Sequence, residues 1–216
     1  MDVKLKVGFL FNEDNDWIFH HFKGLSWLPA NLENFEYEVS FDYQDLSGLD
    51  VLFILGYTKI LPETFLDSNK LNLIVHESAL PKGKGFSPVQ WQILEGVNEI
   101  PVCLLEATKE VDSGAIYEKA SMKFNGNELM DEIRVLQAKA TKELIVTFLK
   151  KYPNILKKEQ EGASTYLRKR TIKDDRLDID KTIREQFNQL RISDNNQYPV
   201  YFEINGIKYY LKITKA

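Results

Sequence analysis

The chain has 216 residues, of which 44% are hydrophobic and 28% charged, an ordinary composition for a globular protein with one sizeable core. Its 28 Lys and Arg against 32 Asp and Glu give a net charge of −4, so the chain lacks the basic footprint of a nucleic-acid-binding protein. One cysteine, Cys103, excludes a disulfide framework within the chain. No apolar run approaches the ~18 residues of a membrane span and no signal peptide is recognisable, so we expect a cytoplasmic protein without a membrane segment.

Short apolar runs alternate with helix signals as far as Pro153. Strands are predicted from buried or alternating runs at 5–11, 35–41, 51–55, 71–75, 101–105 and 115–124. Helices are predicted, from apolar spacing or from a proline in the first turn, at 20–34 after a start near Trp17, from Pro62, at 88–94 and at 127–151. Strands that alternate with helices indicate an α/β domain over residues 1–153, Rossmann-like, with a largely parallel sheet and flanking helices.

The character of the sequence changes after Pro153, and residues 154–216 are predicted to form a small C-terminal extension. Residues 154–164 are polar and lysine-rich, which is typical of a linker. A β-hairpin is predicted around Asn205-Gly206, because this pair supplies the positive φ angles of a type I′ turn. A short helix is predicted before it, with apolar residues on one face at Ile183, Phe187 and Leu190.

The stretch from Asn72 to Trp91 combines a buried strand, a histidine just past its end, a basic loop and a helix start. Ligands of a parallel α/β sheet bind at the carboxyl ends of its strands, and Asp112 follows the strand at 101–105 after a short loop. If these strands are neighbours, His76 and Asp112 come within reach, and a carboxylate orients a histidine for acid–base chemistry. Two other interpretations stay open on residue types alone: a hydrogen-bonded structural histidine, and an aspartate that shapes a turn.

Other kinds of site have weaker signals. Lys82 and Lys84 lie in the loop after the histidine, where they either contact an anion or face solvent. Three histidines and one cysteine give no metal-ligand spacing, so no metal site is predicted. Gly83 and Gly85 lack the third glycine of a dinucleotide-binding fingerprint.

Three motifs occur in order along the chain: Gly56-Tyr-Thr-Lys-Ile-Leu-Pro62, then His76-Glu-Ser-Ala-Leu-Pro81 continued by Gly85, Pro88 and Trp91, then Val111-Asp-Ser-Gly-Ala-Ile-Tyr117. Together they resemble the motifs of the folate-dependent formyltransferases. The resemblance covers residues 50–120 well and the first fifty weakly. It implies the α/β catalytic fold of that family and the donor N10-formyltetrahydrofolate, whose formyl group is transferred to an amine.

The resemblance also implies roles for individual residues. His76 assists proton transfer and stabilises the tetrahedral intermediate, and Asp112 tunes and orients the histidine. Two segments are implied to line the folate pocket, one with Tyr57, Thr58, Lys59, Ile60 and Leu61, the other with Ala107, Thr108, Lys109, Glu110 and Val111.

One position departs from the family pattern. The family usually carries Asn two residues before the histidine, and Ile74 stands there in this chain. Asn72 is the candidate for the third catalytic residue, although on a straight strand it lies about 13 Å from His76 and would need a bulge or bend to reach it. Ser78, Gln90 and Tyr57 are the other candidates for the missing donor.

The amine acceptor is predicted from the C-terminal half. Arg168-Lys-Arg-Thr-Ile-Lys-Asp-Asp-Arg-Leu-Asp178 and Tyr198-Pro199 resemble the segment that follows the catalytic domain in sugar N-formyltransferases. This implies an amino-deoxy sugar carried on a nucleotide, for a surface polysaccharide such as the O-antigen of lipopolysaccharide. Candidate acceptor-binding residues are Ser78, Lys82, Lys84, Arg168 and Arg170, of which the two arginines, with Lys169, would pair with the diphosphate.

Two alternatives remain on the sequence. One is a formyltransferase-like protein that binds its ligands without turnover, which the Ile74 departure favours. The other is formylation of a different amine, such as that of methionyl-tRNA. The sequence leaves the sugar, the nucleotide and the oligomeric state open, with a homodimer as one expectation.

Overall fold

A six-stranded sheet forms the centre of the protein. The computed structural model describes residues 4–13, 16–29, 32 and 35–216. The strands within them are β1 (Leu5–Phe11), β2 (Phe35–Ser40), β3 (Val51–Leu55), β4 (Asn72–His76), β5 (Lys84–Gly85), β6 (Glu99–Glu106), β7 (Ile116–Lys123), β8 (Tyr166–Leu167), β9 (Tyr201–Ile204) and β10 (Ile207–Tyr210). The central sheet has the order β2-β1-β3-β4-β6-β7, while β5 pairs with β8 and β9 with β10.

Most of the central sheet is parallel. Strands β1 to β4 run in the same direction, and β6 runs antiparallel to both of its neighbours, β4 and β7. The predicted mixed α/β fold with a mostly parallel sheet is therefore confirmed. The assumption that Asp112 follows a strand parallel to β4 is wrong, because the strand before it, β6, is the reversed one.

Helices cover the two faces of the sheet. They are α1 (Asp16–Phe22), α2 (Glu63–Leu66), α3 (Pro88–Leu94), α4 (Met130–Lys151) and α5 (Phe187–Arg191). The long helix α4 starts three residues later than predicted and packs Phe148, fully buried, against Phe53 of β3. Among the described helices none combines the length and the apolar composition that a membrane span requires.

Alternate residues of β4 face opposite sides of the sheet, as a period of two requires. Leu73 and Val75 belong to the main core beneath α1, α3 and α4. Ile74 belongs to the smaller cluster on the other face, where Leu52, Ile54 and Phe65 pack. His76 shares the side of Ile74, so the sheet places the histidine on the face that α2 and the connecting loops cover.

Two predicted helices differ from the structure. The helix at 20–34 is wrong: α1 ends at Phe22, and Gly24 (φ 80°) and Leu25 (φ 51°) adopt left-handed backbone conformations that end a helix. Residues 30, 31, 33 and 34 of that prediction lie outside the described residues. Ile183 precedes α5 and is 62% exposed, so it takes no part in that helix.

The predicted hairpin is confirmed. Strands β9 and β10 pair in an antiparallel register that places Ile207 opposite Ile204. Asn205 (φ 52°) and Gly206 (φ 78°) between them both have positive φ, as a type I′ turn requires.

The C-terminal extension packs on the α/β domain. The guanidinium of Arg191 is fully buried and bonds the carboxylate of Glu128 at 2.9 Å and its carbonyl at 3.0 Å. Residues 154–164, expected to form a linker, are attached to the sheet, because Lys158 and Ile116 exchange two backbone hydrogen bonds of 2.8 Å. The first part of the extension therefore lies against the start of β7, next to the loop that connects β6 and β7.

Replacement of Arg191 tests this attachment. Arg191→Ala is expected to lower the free energy of unfolding by about 3 kcal/mol, because it leaves the largely buried Glu128 carboxylate without its counter-charge. Arg184→Ala, an exposed arginine of the same extension, is the control and should stay within about 0.5 kcal/mol of the parent. Urea unfolding measures both, and equal small losses would show that the buried pair contributes little.

Candidate active site

A histidine and an aspartate meet at the carboxyl end of β4. His76, the last residue of the strand, is 5% exposed, and Asp112 is 7% exposed. The Nδ1 atom of His76 lies 3.4 Å from Oδ2 of Asp112, and the Nε2 atom lies 2.7 Å from the carbonyl oxygen of Gly83. Both nitrogens of the ring thus face a fixed protein partner.

The partners of the ring fix where its protons sit. The Gly83 carbonyl and the Asp112 carboxylate both only accept hydrogen bonds, and the Nε2 atom is much closer to its partner, at 2.7 Å against 3.4 Å for Nδ1. The distances therefore favour a neutral ring that carries its proton on Nε2 and donates it to Gly83. A second proton would sit on Nδ1, where it faces the carboxylate of Asp112. The carboxylate and the carbonyl therefore hold the ring at its two nitrogens and fix its orientation.

Asp112 reaches the histidine from the loop between β6 and β7. The end of β6 lies at the start of β4, since Glu106 pairs with Leu73, and residues 107–115 return towards His76. Asp112 itself has a φ of 51°, in the left-handed region, and its Oδ2 accepts a hydrogen bond of 2.8 Å from the backbone N–H of Gly85. This bond ties the aspartate to the loop that also supplies the partner of Nε2.

The glycine at 85 is required by close packing. It has a φ of 101°, and a Cβ atom there would collide with the carbonyl oxygen of Leu167. The absence of a side chain lets β5 pair with β8 and brings the Gly85 N–H to Asp112.

Lys84 is a buried lysine between Gly83, which contacts His76, and Gly85, which contacts Asp112. It is only 6% exposed, its Nζ donates to the hydroxyl of Ser113 at 2.8 Å, and it lies 5.9 Å from the centre of the Tyr166 ring. The lysine therefore links the loop at 83–85 to the turn at 112–114.

The chain matches the model of a known family. A model of the family described as Formyl transferase matches residues 13–171. The chain belongs to the formyl transferase family. It is 31% identical over 164 residues to methionyl-tRNA formyltransferase of Mycoplasmopsis pulmonis, an alignment that covers 71% of this chain and 56% of the relative. The chain thus spans about half the length of the curated relatives it matches.

Solved structures share the fold at low identity. A 4-N formyltransferase from Francisella tularensis superimposes with a TM-score of 0.75 and 18% identity, over 99% of this chain and 98% of the other. HypX from Aquifex aeolicus, in complex with tetrahydrofolic acid, gives a TM-score of 0.74 and 15% identity, over 94% of this chain and 36% of the other. These similarities support the formyl transferase fold over nearly the whole chain.

The structure does not bring Asn72 to the pair. The amide nitrogen of Asn72 donates to the carbonyl of Leu66 at 2.7 Å, and its side-chain oxygen accepts from Asn69 at 3.2 Å. Asn72 is the first residue of β4, which is regular, so no bulge shortens the path to His76. The side chain anchors the connection between α2 and β4, and a direct catalytic role for it is contradicted by this geometry.

The two predicted folate-lining segments border one apolar cluster. Tyr57, Leu61 and Ala107 all pack against the cluster of Leu10, Ile54 and Phe65. The remaining predicted residues are exposed, at Thr58, Lys59, Ile60, Thr108, Lys109, Glu110 and Val111. Burial raises the pKa of the Tyr57 phenol, so it stays a hydrogen-bond donor. Their contact with folate remains a prediction.

The predicted acceptor-binding residues fall into two groups. Lys82 is exposed on the loop beside the pair, whereas Ser78 is 2% exposed and its hydroxyl has no partner among the described residues. Arg168 and Arg170 both lie over the ring of Trp91, with guanidinium carbons 4.7 and 5.9 Å from its centre. Their guanidinium groups are paired with Asp174 and Asp175.

A second carboxyl group lies next to the histidine on the opposite face of the sheet. Glu77 accepts a hydrogen bond from Gln137 of α4. Burial raises the pKa of Glu77, against the opposing effects of His76 and of the Gln137 bond. Of the two carboxyl groups, that of Asp112 is the one whose oxygen lies 3.4 Å from the imidazole.

Two residues that hold the loops had no signal in the sequence. Gln160 and Thr165 lie in the polar segment after α4, and their side chains bond the backbone of residues 83, 112 and 114. Contacts between a side chain and a distant backbone follow no periodicity, so only the structure reveals them.

Asn72→Ala separates an anchoring role from a catalytic one. The substitution is expected to lower the free energy of unfolding by about 1–3 kcal/mol, because two hydrogen bonds are lost. The carbonyl of Leu66 then keeps only a bond of 3.4 Å from the Asn69 N–H, and the Asn69 amide keeps only a bond of 3.4 Å to the carbonyl of Leu46. Any formyl transfer that the parent catalyses should keep nearly the same rate in this variant. His76→Ala, the comparison, should lose roughly 10²–10⁴-fold in rate. A loss of the same size in both variants would return Asn72 to the mechanism.

Proposed function

We propose that this chain transfers the formyl group of N10-formyltetrahydrofolate to the amine of an amino-deoxy sugar carried on a nucleotide. The carrying observation is that the His76–Asp112 pair is connected to two different surfaces. Ile74, on the side of β4 that carries His76, packs against the apolar cluster that the segments at 57–61 and 107–111 border. Asp112 is bonded to Gly85 of β5, which pairs with β8, and β8 leads into Arg168 over the ring of Trp91. One surface suits the folate and the other suits the nucleotide.

The folate side has the character that a flat, partly apolar ring system requires. Ile60 is 92% exposed and Val111 is 58% exposed, one on each segment, and Lys109 and Glu63 form an ion pair of 3.5 Å between these regions. In this proposal Tyr57, Ile60 and Val111 hold the donor, which supplies an activated formyl carbon. The family assignment and the tetrahydrofolate complex of HypX support a donor of the folate type.

The acceptor side combines an aromatic ring with positive charge. The N–H of Trp91 donates to the carbonyl of Arg168 at 2.9 Å, which fixes the indole beside β8 and hence beside the loop that touches His76. Arg168 and Arg170 are already paired with aspartates. The exposed Lys82 and Lys169, which form no ion pair with another described residue, therefore supply the charge for a diphosphate. The similarity to the 4-N formyltransferase from Francisella tularensis supports an acceptor that is formylated on an amino nitrogen.

His76 and Asp112 handle the protons of the reaction. The amine attacks the formyl carbon, and negative charge develops on the formyl oxygen. His76 stabilises that oxygen by donating from Nε2, which requires the oxygen to replace the carbonyl of Gly83 as acceptor. With both ring nitrogens protonated, the Nε2 proton passes to N10 of the donor as the C–N10 bond breaks, and Nε2 then takes up the proton that the amine loses, while Asp112 holds the proton at Nδ1. Ile74 offers no amide, so His76 carries the oxyanion with fewer donors than the family pattern supplies.

Methionyl-tRNA is the second candidate acceptor. The curated relatives that match this chain at about 30% identity include methionyl-tRNA formyltransferases. A net charge of −4 argues against it, because affinity for a polyanion depends largely on basic residues that neutralise phosphates.

The acceptor is tested by incubating the protein with N10-formyltetrahydrofolate and either nucleotide-linked 3- and 4-amino sugars or methionyl-tRNA. Release of tetrahydrofolate with at least one sugar nucleotide is expected. Release with methionyl-tRNA alone would replace the proposed acceptor. Binding of the folate without release in any mixture would make the chain a binding protein.

Lys82→Ala tests the acceptor surface in the same assay. KM for the sugar nucleotide should rise about 10-fold or more, because a charge-assisted hydrogen bond is lost, while KM for the folate stays unchanged. Lys181→Ala, an exposed lysine of the extension, is the matched control. An unchanged KM in Lys82→Ala would place the diphosphate elsewhere.

A further inference from the structure

Gln160 clamps the turn that carries Asp112. It lies in the segment after α4, and its side-chain amide nitrogen donates to the carbonyl of Asp112 and to that of Gly114, each at 2.8 Å. These two carbonyl oxygens also fix the orientation of the Gln160 amide. If the amide were turned over, its own oxygen would face both carbonyl oxygens, and no hydrogen bond could form. A single side chain thus holds both ends of the turn at 112–114.

The turn needs such a clamp. Asp112 has a φ of 51°, which costs a residue with a side chain roughly 1 kcal/mol or more and persists only when its surroundings enforce it. On the other side, a Cβ atom at Gly114 would collide with the carbonyl oxygen of Glu106. The turn is therefore held between β6 and Gln160, and this fixes where the Asp112 carboxylate points.

The same segment holds the second loop of the site. Five residues after Gln160, the hydroxyl of Thr165 accepts a hydrogen bond of 2.8 Å from the N–H of Gly83, and its carbonyl accepts one of 2.9 Å from Lys84. Gly83 supplies the acceptor for His76 Nε2. One stretch of chain thus anchors the partners of both ring nitrogens.

We propose that Gln160 is a positioning residue for the His76–Asp112 pair, which acts by holding the Asp112 turn and not by contact with substrate. The kinetic part of this inference rests on the proposed formyl transfer. The structural part concerns only the distance between Asp112 and His76, and it is measurable without an acceptor.

Gln160→Met is the variant of choice. Methionine keeps the length of the side chain and removes both donors without adding charge, so the Asp112 turn is released. Gln186→Met is the matched control, because the Gln186 amide nitrogen also donates only to backbone carbonyls within the C-terminal extension, those of Asp178, Lys181 and Thr182 at 2.9, 3.3 and 3.5 Å. Melting temperatures of both variants report whether each remains folded.

The first measurement is the imidazole ¹⁵N spectrum at neutral pH. The chain has three histidines, and His20 and His21 both lie on α1, so the His76 signals are assignable by substitution. In Gln160→Met the His76 nitrogens are expected to shift to the positions they have in Asp112→Asn. In Gln186→Met they should keep the parent positions. Unchanged His76 signals in Gln160→Met would overturn the inference.

The second measurement is steady-state kinetics with the acceptor that supports turnover. Gln160→Met should lose about 10- to 100-fold in kcat with KM for the folate nearly unchanged, as expected when a reacting group is displaced by about 1 Å. A shift in KM alone would make Gln160 a ligand contact and would also overturn the inference. If the parent shows no turnover with any acceptor, the proposed function fails, while the spectrum alone still supports or overturns the positioning role.

Discussion

One backbone hydrogen bond holds the site together: the N–H of Gly85 donates to the carboxylate of Asp112 at 2.8 Å. This bond exists because residue 85 has no side chain and can approach the carbonyl of Leu167, which lets β5 pair with β8. The carboxylate held in this way lies 3.4 Å from His76. The contact between the two side chains therefore depends on a short two-stranded sheet outside the main one.

The reversed strand β6 explains how the loop between β6 and β7 serves two purposes. It starts beside Leu73 and returns towards His76, so it passes along the face of the sheet that carries the histidine. On the way it presents residues 107–111 beside the apolar cluster of β3 and α2, and then turns at Asp112. A parallel β6 would begin this loop at the opposite end of β4.

Local signals in the sequence predicted much of the fold. Apolar runs predicted β3 and β4, the three- and four-residue spacing predicted α4, and Asn205-Gly206 predicted the hairpin. The helix expected at 20–34 is wrong because α1 ends at Phe22, and Gly24 and Leu25 then adopt left-handed conformations. That of Leu25 is one that its residue type does not favour, so the sequence gives little sign of it.

The site was predicted only in part. The motifs named His76 and Asp112, and the structure brings them together. The expectation that the strand before Asp112 runs parallel to β4 was wrong, because β6 is antiparallel to it. The direction of a strand is set by its pairing with distant segments, which the local sequence does not show. Asn72, four residues before His76, was the candidate for the catalytic amide, but its side chain bonds the carbonyl of Leu66. Gln160 lies 48 residues from Asp112, and no local pattern predicts such a bond.

The central claim is that His76 and Asp112 act as one unit, and a double-mutant cycle on formyl transfer tests it most directly. It compares kcat/KM of the parent with those of His76→Ala, Asp112→Asn and the double variant, using one donor and one acceptor. When two residues act as a unit, removal of either one already abolishes their joint contribution to the rate. The kcat/KM of the double variant should therefore be about as low as that of the slower single variant. Losses that multiply in the double variant, or an Asp112→Asn variant as fast as the parent, would contradict the claim.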